Sequence, residues 1–559
     1  MNKEISPVEL TTEGYNLPVF RSVIPEAVRI GQTETAQVVI IGGGLTGLTL
    51  AADLASRGIP AILLDDDNTV GARGASSRGM VWSQKTLEIM DRIGVAARMI
   101  EKGVTWSVGR TLTGDQIVYE FNRSEQNVSR QPAFVNLQQF YVEWFLIERI
   151  VELHSVELRW KNKVTATSQS ADAVTLTVET DDGPYTIVAD WVIDASGANS
   201  SVRGAMGLNT NAARHVDRWC ICDVHCLQLN VPERWTWVDA PFNGGRAVWQ
   251  HMMADNVWRL DYQLDPDSDP AESADPKAAA GRVRAHLGPD ISFDVVWVGP
   301  WEYRTQVLDN FRIGRMFFAG DAAHVVSPFG ARGGNSGIQD AANLGWKLAL
   351  VIEGKAPERL LNSYDEERRP AAHENILVTR RTSRFLAPQT PFEKRLRRSL
   401  LKLARDYPFA RSWVNTGRMS QPERYSASSV VAPGAGFALP NISLQDRSGK
   451  SLGLSDAIGR VSTSIVGFYI PAGRTDRHRA AISGIGGEGA PFVVQTLDIG
   501  EGADNCALRD DARHLPGLTG AGPGDLIVVR PDLYCAAVLH APAAMAVEQV
   551  LKSALSFAR

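Results

Sequence analysis

The sequence predicts a multidomain α/β protein built on a Rossmann-like parallel sheet, and three observations support this class. A β-branched run, a glycine-rich turn, an apolar helix and a second apolar run follow one another between Gln37 and Leu64. A tryptophan-rich stretch at 215–305 alternates apolar and polar residues, which is typical of an antiparallel sheet with one packed face. Further strand-like runs follow residue 431, and 559 residues suffice for three or four domains of about 150 residues each.

The composition is that of an ordinary globular chain and excludes several classes of protein. Hydrophobic residues make up 44% and charged residues 22%, and the net charge is −5, so nothing indicates disorder or a nucleic-acid binder. No apolar run approaches the ~20 residues of a membrane span, and Met1–Thr35 lacks the apolar core of a signal peptide. Five cysteines without metal-binding spacing fit a reducing compartment. We therefore expect a cytoplasmic protein with no metal, membrane or nucleic-acid partner.

The elements of the first domain follow from hydrophobic periodicity. Strand, helix and strand are predicted at Gln37–Ile41, Leu45–Arg57 and Ala61–Leu64, an order that implies a parallel sheet. Residues before 37 form an extension that lies on the larger body. The remaining elements predicted here are helices at Thr86–Ile93, Phe140–Leu153 and Asn335–Ile352, and strands at Val174–Glu179, Trp191–Asp194 and Arg315–Ala319.

A G-x-G-x-x-G motif joins the first strand to the first helix, which is the context that a dinucleotide-binding loop requires. Gly42 permits the tight turn, Gly44 lets the backbone approach a pyrophosphate, and Gly47 lets helix and strand pack closely. Leu45 and Thr46 supply amides at the positive end of the helix dipole. Asp65 ends the second strand, where a carboxylate can accept a hydrogen bond from a ribose hydroxyl.

A second loop helps to choose the dinucleotide, because the first motif fits NAD and FAD alike. Gly320 and Asp321 follow a buried strand, and a glycine-rich run then enters a helix. We expect Asp321 to accept from a polyol chain, and the backbone amides of Gly333, Gly334 and Asn335 to stabilise negative charge on a ring. A nicotinamide dinucleotide has no ribityl chain to match Asp321, so FAD is favoured.

With these motifs, the sequence resembles the class A flavoprotein monooxygenases with the para-hydroxybenzoate hydroxylase fold, over roughly residues 37–369. The Gly42–Gly47 loop with Asp65 resembles the family's ADP-binding fingerprint, and Gly320-Asp321 with Pro328 to Gly337 resembles its Gly-Asp motif. Asp190 to Ser200 resembles the region of its Asp-Gly motif, except that Ser196 stands where an acidic residue is usual. This departure bears on the NAD(P)H contact and not on the fold.

The resemblance also implies cofactor contacts that the residues alone do not establish. Arg78, Gln139 and Val164 correspond to positions that flank FAD or meet its adenine in relatives. The tail after Ala432, including Arg530-Pro531-Asp532, resembles the thioredoxin-like domain of the phenol hydroxylase and 3-(3-hydroxyphenyl)propionate hydroxylase branch. It lacks a C-x-x-C pair, which favours a structural or oligomerisation role.

The domain organisation expected from these motifs has six segments. They are an N-terminal extension at 1–36, a first part of the FAD-binding domain at 37–214, a substrate-binding β-sheet domain at 215–305, a second FAD-binding part at 306–375, a helical segment at 376–430 with a basic helix at Phe392–Arg405, and a thioredoxin-like domain at 431–559. Within the last segment we predict strands at Thr463–Tyr469, Phe492–Leu497 and Leu526–Val529, and a helix at Pro542–Phe557 with Pro542 in its first turn.

The reaction implied by the resemblance is hydroxylation of a phenolic or other aromatic substrate with O2 and NADH or NADPH, through a flavin C4a-hydroperoxide. Such a site must exclude water, and the tryptophans of 215–305 either cover it or simply pack the core. Pro328 would present its carbonyl near the reacting ring, and Arg332 either stabilises an anion there or forms a surface salt bridge. His251 is the first candidate for the base, and the alternatives in the same sheet are Tyr262, His225 and Asp223. A homodimer is expected from relatives.

Two rival functions stay open from the sequence. One is a flavin oxidoreductase of the same fold with non-hydroxylating chemistry, such as Baeyer–Villiger oxidation, epoxidation or halogenation. The other is a non-catalytic flavoprotein, for which Ser196 is the supporting feature.

Overall fold

The protein is described here from a computed structural model. The structure describes residues 9–10, 15–71, 79–125, 127–208, 210, 212–265, 267–273, 275–414, 418–473, 476, 481–482, 485–486, 490–499 and 506–556. Helices and strands together confirm the predicted mixed α/β class.

The first sheet carries the dinucleotide-binding loop and has eight strands among the described residues. Six form a continuous path in the order Val156–Trp160, Ala61–Asp65, Glu34–Ile41, Gly183–Asp194, Val174–Thr180 and Lys163–Gln169. Met316–Phe318 pairs in parallel with the end of Gly183–Asp194. Arg312–Ile313 pairs in turn with Met316–Phe318, in the antiparallel direction. The first three strands of the path and Gly183–Asp194 run parallel, which confirms the predicted strand–helix–strand unit.

Helices cover this sheet because their apolar stripes and its apolar strands must leave water together. The core includes Leu48 and Leu54 from one helix, Leu146 from a second and Leu344 from a third, all fully buried. The helices around this sheet are Glu26–Ile30, Leu45–Ser56, Gln84–Arg92, Ala96–Lys102, Gln139–Leu153, Ser201–Ala205 and Gly333–Ile352. A small sheet of Val81–Ser83, Phe134–Asn136 and Val104–Trp106 lies beside them.

The N-terminal segment lies along the edge of the first sheet. The Phe20 ring stacks on Trp160 with centroids 5.0 Å apart, and the Phe20 amide donates to the Asn68 carbonyl at 2.8 Å. The Asn162 side chain donates to the Val23 carbonyl at 2.8 Å. A two-residue strand at Pro18–Val19 pairs with Glu9–Leu10.

The second sheet is mostly antiparallel, as the tryptophan-rich pattern predicts. Its described strands run in the order His324–Val325, Asp294–Val307, Ala213–His225, Val257–Gln263, Arg246–Met252, Arg234–Ala240, Val108–Thr113 and Gln116–Asn122. One face packs against the Pro276–Leu287 helix through a core that includes Cys222, Trp258 and Tyr262. Two of its strands, at 108–122, come from the segment that the sequence analysis assigned to the FAD-binding part, because Val108–Thr113 pairs in parallel with Arg234–Ala240.

Two long helices, Asn362–Leu386 and Pro391–Asp406, lead to the C-terminal unit. The second confirms the predicted basic helix and begins with a capping box on Thr390. The third sheet follows, with described strands in the order Ser451–Gly453, Ser443–Asp446, Leu508–Arg509, Phe492–Asp498, Ile465–Tyr469, Leu526–Val529 and Cys535–Leu539. Its helices are Leu454–Ala457, His514–Thr519 and Ala544–Ala554.

The last helix begins two residues later than predicted. Asp525 accepts from the Ala541 amide at 3.1 Å and lies 2.9 Å from His540 Nδ1, and Ala541 has a φ of 41°. This left-handed turn delays the helix to Ala544, so placing Pro542 in its first turn was wrong.

A buried ionic cluster joins the C-terminal unit to the first domain. The Arg530 guanidinium forms a fork with Glu367 at 2.5 and 2.9 Å and a second with Asp532 at 2.5 and 3.1 Å. Lys347 donates to Glu367 at 2.8 Å, and all four side chains are at most 3% exposed. We call these four residues the Arg530 cluster. Because its two cations match its two anions, the cluster buries no net charge.

Among the described helices, none combines the length and apolarity that crossing a bilayer requires.

Candidate functional site

The glycines of the first loop have the close contacts that the motif predicts. Gly42 has a φ of 108°, and a Cβ there would lie 2.5 Å from the Ala195 carbonyl oxygen. A Cβ on Gly47 would overlap the Gly42 carbonyl, so the Leu45–Ser56 helix can approach its strand only with glycine at this point. A Cβ on Gly44 would meet nothing within 4 Å, so the backbone at the helix start faces open space. This opening is where an anionic ligand would reach the helix amides.

Asp65 lies against this loop at the end of its strand. Its Oδ2 accepts a hydrogen bond from the Gly43 amide, and its Oδ1 accepts from the Asp67 amide at 2.7 Å. Burial raises the pKa of Asp65 to about 6, although both amides oppose the shift. The carboxylate is therefore fixed beside the turn, as the ribose-binding role requires.

The second loop meets the first through Thr46. A Cβ on Gly320 or on Gly337 would overlap the Thr46 hydroxyl, so both glycines are needed for this approach. A Cβ on Gly334 would lie 3.1 Å from Leu45. The N-termini of the Leu45–Ser56 and Gly333–Ile352 helices therefore lie side by side. Their first amides have no carbonyl partner within their helices, and both dipoles present positive potential to one place.

The Gly320 turn is hydrogen-bonded to Asp340, a residue that the sequence analysis did not identify. Asp340 accepts from the Gly320 amide at 3.0 Å and from Arg368 Nε at 2.7 Å, and it lies 2.6 Å from His324 Nε2. Burial would raise its pKa, but His324 and Arg368 outweigh burial and lower it. The sequence signal was available, since Asp340 and Lys347 are the two charged residues of an otherwise uncharged helix and lie seven positions apart, on one side of it. Asp321 itself is exposed on the turn.

The Asn335 side chain anchors the start of the second helix. Its Oδ1 accepts from Thr86 at 2.6 Å and from the Ser83 amide at 2.9 Å, and its Nδ2 donates to the carbonyls of Val81 and Ala331 at 2.8 and 2.6 Å. The side chain is committed to these contacts. What the helix start offers a ligand is therefore backbone N–H, as predicted for Gly333–Asn335.

Arg332 is buried, so the surface salt bridge considered for it was wrong. It is 2% exposed and donates to Asn375 Oδ1 at 2.5 Å and to the Arg418 carbonyl at 3.1 Å. Burial lowers its pKa to about 10. The Pro328 carbonyl accepts from the Ala331 amide at 2.9 Å, which closes the turn before this helix.

Of the cofactor contacts implied for Arg78, Gln139 and Val164, the structure describes Gln139 and Val164. Gln139 accepts from the Gly79 amide at 2.9 Å and donates to Glu143 at 2.8 Å, and Glu143 accepts from the Gly71 amide at 2.7 Å. These two side chains therefore bind Gly71 and Gly79. Arg78 lies outside the described residues.

Val164 lies close to the Asp65 side of the loop. It is buried near the start of the Lys163–Gln169 strand, two residues after Asn162, whose amide donates to the Asp65 carbonyl at 2.8 Å. This places Val164 on the side of the site where an adenine would follow the ribose.

Ser196 is bound to the acid that precedes it. Asp194 is fully buried, and its Oδ1 accepts from the Ser196 hydroxyl at 2.6 Å and from the Ser196 amide at 3.0 Å. Ser196 is exposed, next to the Ala195 carbonyl that lies against Gly42. The departure from the usual acidic residue therefore lies at the rim of the loop.

The tryptophans of the second sheet divide between its two faces. Trp258 belongs to the core, while Trp219 and Trp249 stack with centroids 4.6 Å apart on the other face. Phe329, in the loop before the second helix, contacts Trp249 at 5.1 Å and Trp219 at 5.9 Å. The three rings form an aromatic wall beside the second loop.

His251 lies on the same face as the wall. It is 4% exposed, and burial together with Arg234 and Arg259 lowers its pKa well below 6.5. Arg259 forms a fork with Asp223 at 2.7 and 2.8 Å. Within the described residues, His251 Nδ1 has no hydrogen-bond partner. The imidazole is therefore neutral at ordinary pH.

These features define a flavoprotein class. The two ends of FAD are matched by two adjoining helix starts, with the Asp65 carboxylate beside the first and the exposed Asp321 on the turn before the second. The open space at Gly44 fits the pyrophosphate of FAD.

Comparison with known proteins identifies the family. The FAD binding domain family matches residues 35–379, and the chain belongs to this family. It is 27% identical over 528 residues to the 3-(3-hydroxy-phenyl)propionate/3-hydroxycinnamic acid hydroxylase of Klebsiella pneumoniae, which covers 90% of this chain and 92% of that protein. The enzyme of the same name from Mycolicibacterium smegmatis is 27% identical and covers 70% of this chain and 69% of that protein.

Solved structures show the same fold. The flavin-dependent monooxygenase PieE, in complex with FAD and substrate, has a TM-score of 0.77 at 20% identity and covers 94% of this chain and 99% of its own. Aklavinone-11 hydroxylase with FAD and aklavinone has a TM-score of 0.74 at 21% identity, with the same coverage. The chain is an FAD-dependent monooxygenase.

Proposed function

We propose that the protein hydroxylates a phenolic or other aromatic substrate with O2 and NADH or NADPH. The observation that carries this proposal is the position of the aromatic wall of Trp219, Trp249 and Phe329. The wall lies beside the start of the Gly333–Ile352 helix, which adjoins the start of the Leu45–Ser56 helix at Thr46. The hydroxylases named above act on hydroxyphenyl acids, according to their names. FAD, when bound, supplies hydride acceptance and oxygen activation.

We propose that the residues of the first loop hold the nucleotide end of FAD. The amides of Gly44, Leu45, Thr46 and Gly47 face the pyrophosphate, and Asp65 accepts from the ribose. Arg78 and Gln139 flank the cofactor, and Val164 borders the adenine. The fixed position of Asp65 against Gly43 supports this assignment.

We propose that the second loop holds the flavin end. Asp321 accepts from the ribityl chain, and the amides of Gly333, Gly334 and Asn335 stabilise negative charge on the ring. Arg332 adds a buried positive charge behind this helix start. Pro328 closes the turn that places Phe329 against the two tryptophans.

The aromatic wall supports a flat, apolar substrate for two reasons. Rings stack favourably on rings at centroid distances of about 4.5–7 Å. The buried wall also excludes water, which the reaction of the class requires.

Hydroxylation is tested by loading the protein with FAD and measuring NADH and NADPH oxidation in air with a panel of phenols and hydroxyphenyl acids. We expect one aromatic compound to raise the rate, and its product to gain one labelled oxygen atom from 18O2. An oxygenated non-phenolic product would favour Baeyer–Villiger or epoxidising chemistry, and a halogenated product a halogenase. Bound FAD that neither nucleotide reduces, with any compound, would favour the non-catalytic flavoprotein.

The role of Asp321 has its own test. Asp321→Ala should weaken FAD retention, measured as the flavin-to-protein absorbance ratio after gel filtration. Asp172→Ala is the matched control, since Asp172 is an exposed acid in the turn between the Lys163–Gln169 and Val174–Thr180 strands. Equal retention in both variants would remove the proposed contact.

We also propose that the C-terminal unit is a thioredoxin-like domain with a structural role. In support, Leu508–Arg509, Phe492–Asp498 and Ile465–Tyr469 run parallel, and Leu526–Val529 and Cys535–Leu539 continue the sheet antiparallel. Cys506 and Cys535 are buried and form no disulfide with each other, and burial raises the pKa of Cys535 to about 12. The six-segment division given above, a homodimer and a cytoplasmic location remain proposals.

A further inference from the structure

Asp261 lies on the same face of the second sheet as the aromatic wall. In the antiparallel register it is directly opposite Trp249 on one side and Ile221 on the other. Directly opposite residues share a face, with Cβ atoms about 4.5–5.5 Å apart. The carboxylate therefore borders the ring of Trp249, which itself contacts Phe329.

This carboxylate has an oxygen without a partner. Within the described part of the chain, Asp261 Oδ1 is buried and has no hydrogen-bond donor. A buried carboxylate oxygen without a donor costs free energy, which a hydrogen-bond donor on a ligand would offset. Burial raises the pKa of Asp261 to about 7, with Arg259 and Arg234 opposing the shift and Asp223 adding to it.

The surrounding charges allow Asp261 to take up a proton. On its own face of the sheet, Asp261 is surrounded by Asp223, Arg234, His251 and Arg259, which come from four strands. Tyr15 of the N-terminal segment approaches Arg259 and Asp223, and Cys220 and Tyr262 lie on the opposite face. With Asp261 ionised, the two carboxylates balance the two guanidiniums. With Asp261 protonated, this set carries one positive charge, which matches one negative charge on a neighbouring ligand.

We propose that Asp261 accepts the proton of the substrate's phenolic hydroxyl and is a catalytic residue of this enzyme. The inference rests on the proposed function, since it requires a phenol beside the aromatic wall. The O–H bond breaks, its electron pair stays on the phenolic oxygen, and the proton forms a neutral carboxyl on Asp261. The carboxyl returns this proton to solvent after product leaves.

Asp261 is better suited to this step than His251, the base suggested by the sequence. A protonated His251 would add a third cation beside Arg234 and Arg259, whereas a protonated Asp261 only removes a negative charge. The electron-rich phenolate then lies beside a net positive set, which stabilises it.

The test compares wild type with Asp261→Asn, Asp261→Glu and the control Asp239→Asn, all loaded with FAD. Asp239 is on the same sheet, where it accepts from Thr113 and the Gly114 amide at 2.8 and 3.0 Å. For wild type we expect kcat/KM to rise with pH through about 7. In Asp261→Asn this rise is lost and kcat/KM falls by about 10²–10⁴-fold, while Asp261→Glu restores part of both and Asp239→Asn behaves as wild type.

A second readout needs no turnover. Nitrophenols bound to the FAD-loaded protein without reductant report their ionisation by the phenolate absorbance band. We expect this band with wild type near neutral pH and its loss with Asp261→Asn, at unchanged FAD content. If wild type hydroxylates and Asp261→Asn keeps the pH rise and the phenolate band, Asp261 is not the acceptor. A third outcome is that wild type makes no hydroxylated product, while nitrophenol ionises when bound to wild type and not when bound to Asp261→Asn. In that case Asp261 remains the proton acceptor and the hydroxylase proposal is wrong.

Discussion

Replacing Arg530 with methionine removes one cation from the centre of the Arg530 cluster while keeping most of the side-chain volume. Glu367 keeps Lys347 at 2.8 Å, but Asp532 loses both bonds of its fork in a fully buried place. Breaking a buried ion pair by removing one partner costs about 3–5 kcal/mol. We therefore expect the C-terminal unit to separate locally from the first domain far more often.

Hydrogen exchange measures this opening directly. At about 1.4 kcal/mol per tenfold change, amides of the Leu526–Val529 strand should exchange about 140- to 3,700-fold faster in Arg530→Met than in wild type. Arg530→Lys, which keeps the charge and loses the fork, should fall between the two.

The matched control is Arg509→Met in the same unit. Arg509 pairs with Asp511 at 2.9 Å, but the two side chains are 50% and 45% exposed, and such surface pairs contribute at most about 1 kcal/mol. Exchange in Arg530→Met within tenfold of that in Arg509→Met would refute the idea that this cluster holds the two parts together.

Three further predictions concern the cofactor site. Gly47→Ala should abolish FAD retention on gel filtration, because the added Cβ overlaps the Gly42 carbonyl. The control Gly281→Ala, whose Cβ meets nothing within 4 Å, should retain FAD, and equal retention in the two variants would contradict the proposed loop geometry. FAD affinity, measured by flavin fluorescence, should fall as the pH drops through about 6, because Asp65 then gains a proton and no longer accepts from the ribose; an unchanged affinity at pH 5 would argue against this role. Asp340→Asn should lower the free energy of unfolding, measured in urea above pH 5, by about 3–5 kcal/mol. The ionised form of Asp340 is the stabilising one, and its contribution is lost only as the pH falls through the lowered pKa. A loss under about 1 kcal/mol would show that the turn does not depend on the charge of Asp340.

The first loop and most strands were predictable because their signals are local. The Leu526–Val529 strand has the same bounds in sequence and structure, and the Gly42–Gly47 contacts are those that the motif requires. A short apolar run or a glycine spacing carries its own structural meaning. Such patterns need no knowledge of distant neighbours.

Contacts between distant segments were not predictable in this way. The delayed start of the last helix depends on Asp525, which lies 16 residues before Ala541. The preference for Asp261 over His251 depends on strand register and on two arginines, Arg259 from the strand of Asp261 and Arg234 from another strand. The strands at 108–122 join the second sheet through a pairing that spans more than a hundred residues. No single-sequence pattern encodes these partners.

The contact of Thr46 with Gly320 and Gly337 has a consequence for the order of events during synthesis. The two halves of the nucleotide site are more than 270 residues apart, and at ~5–20 residues per second the ribosome needs roughly 15–55 s to span them. Met316–Phe318, the strand that leads to the second loop, must also find the Asp194 end of a strand made much earlier. The nucleotide is therefore a ligand only of chains that extend beyond Gly337, and no supply of flavin would stabilise a shorter nascent chain.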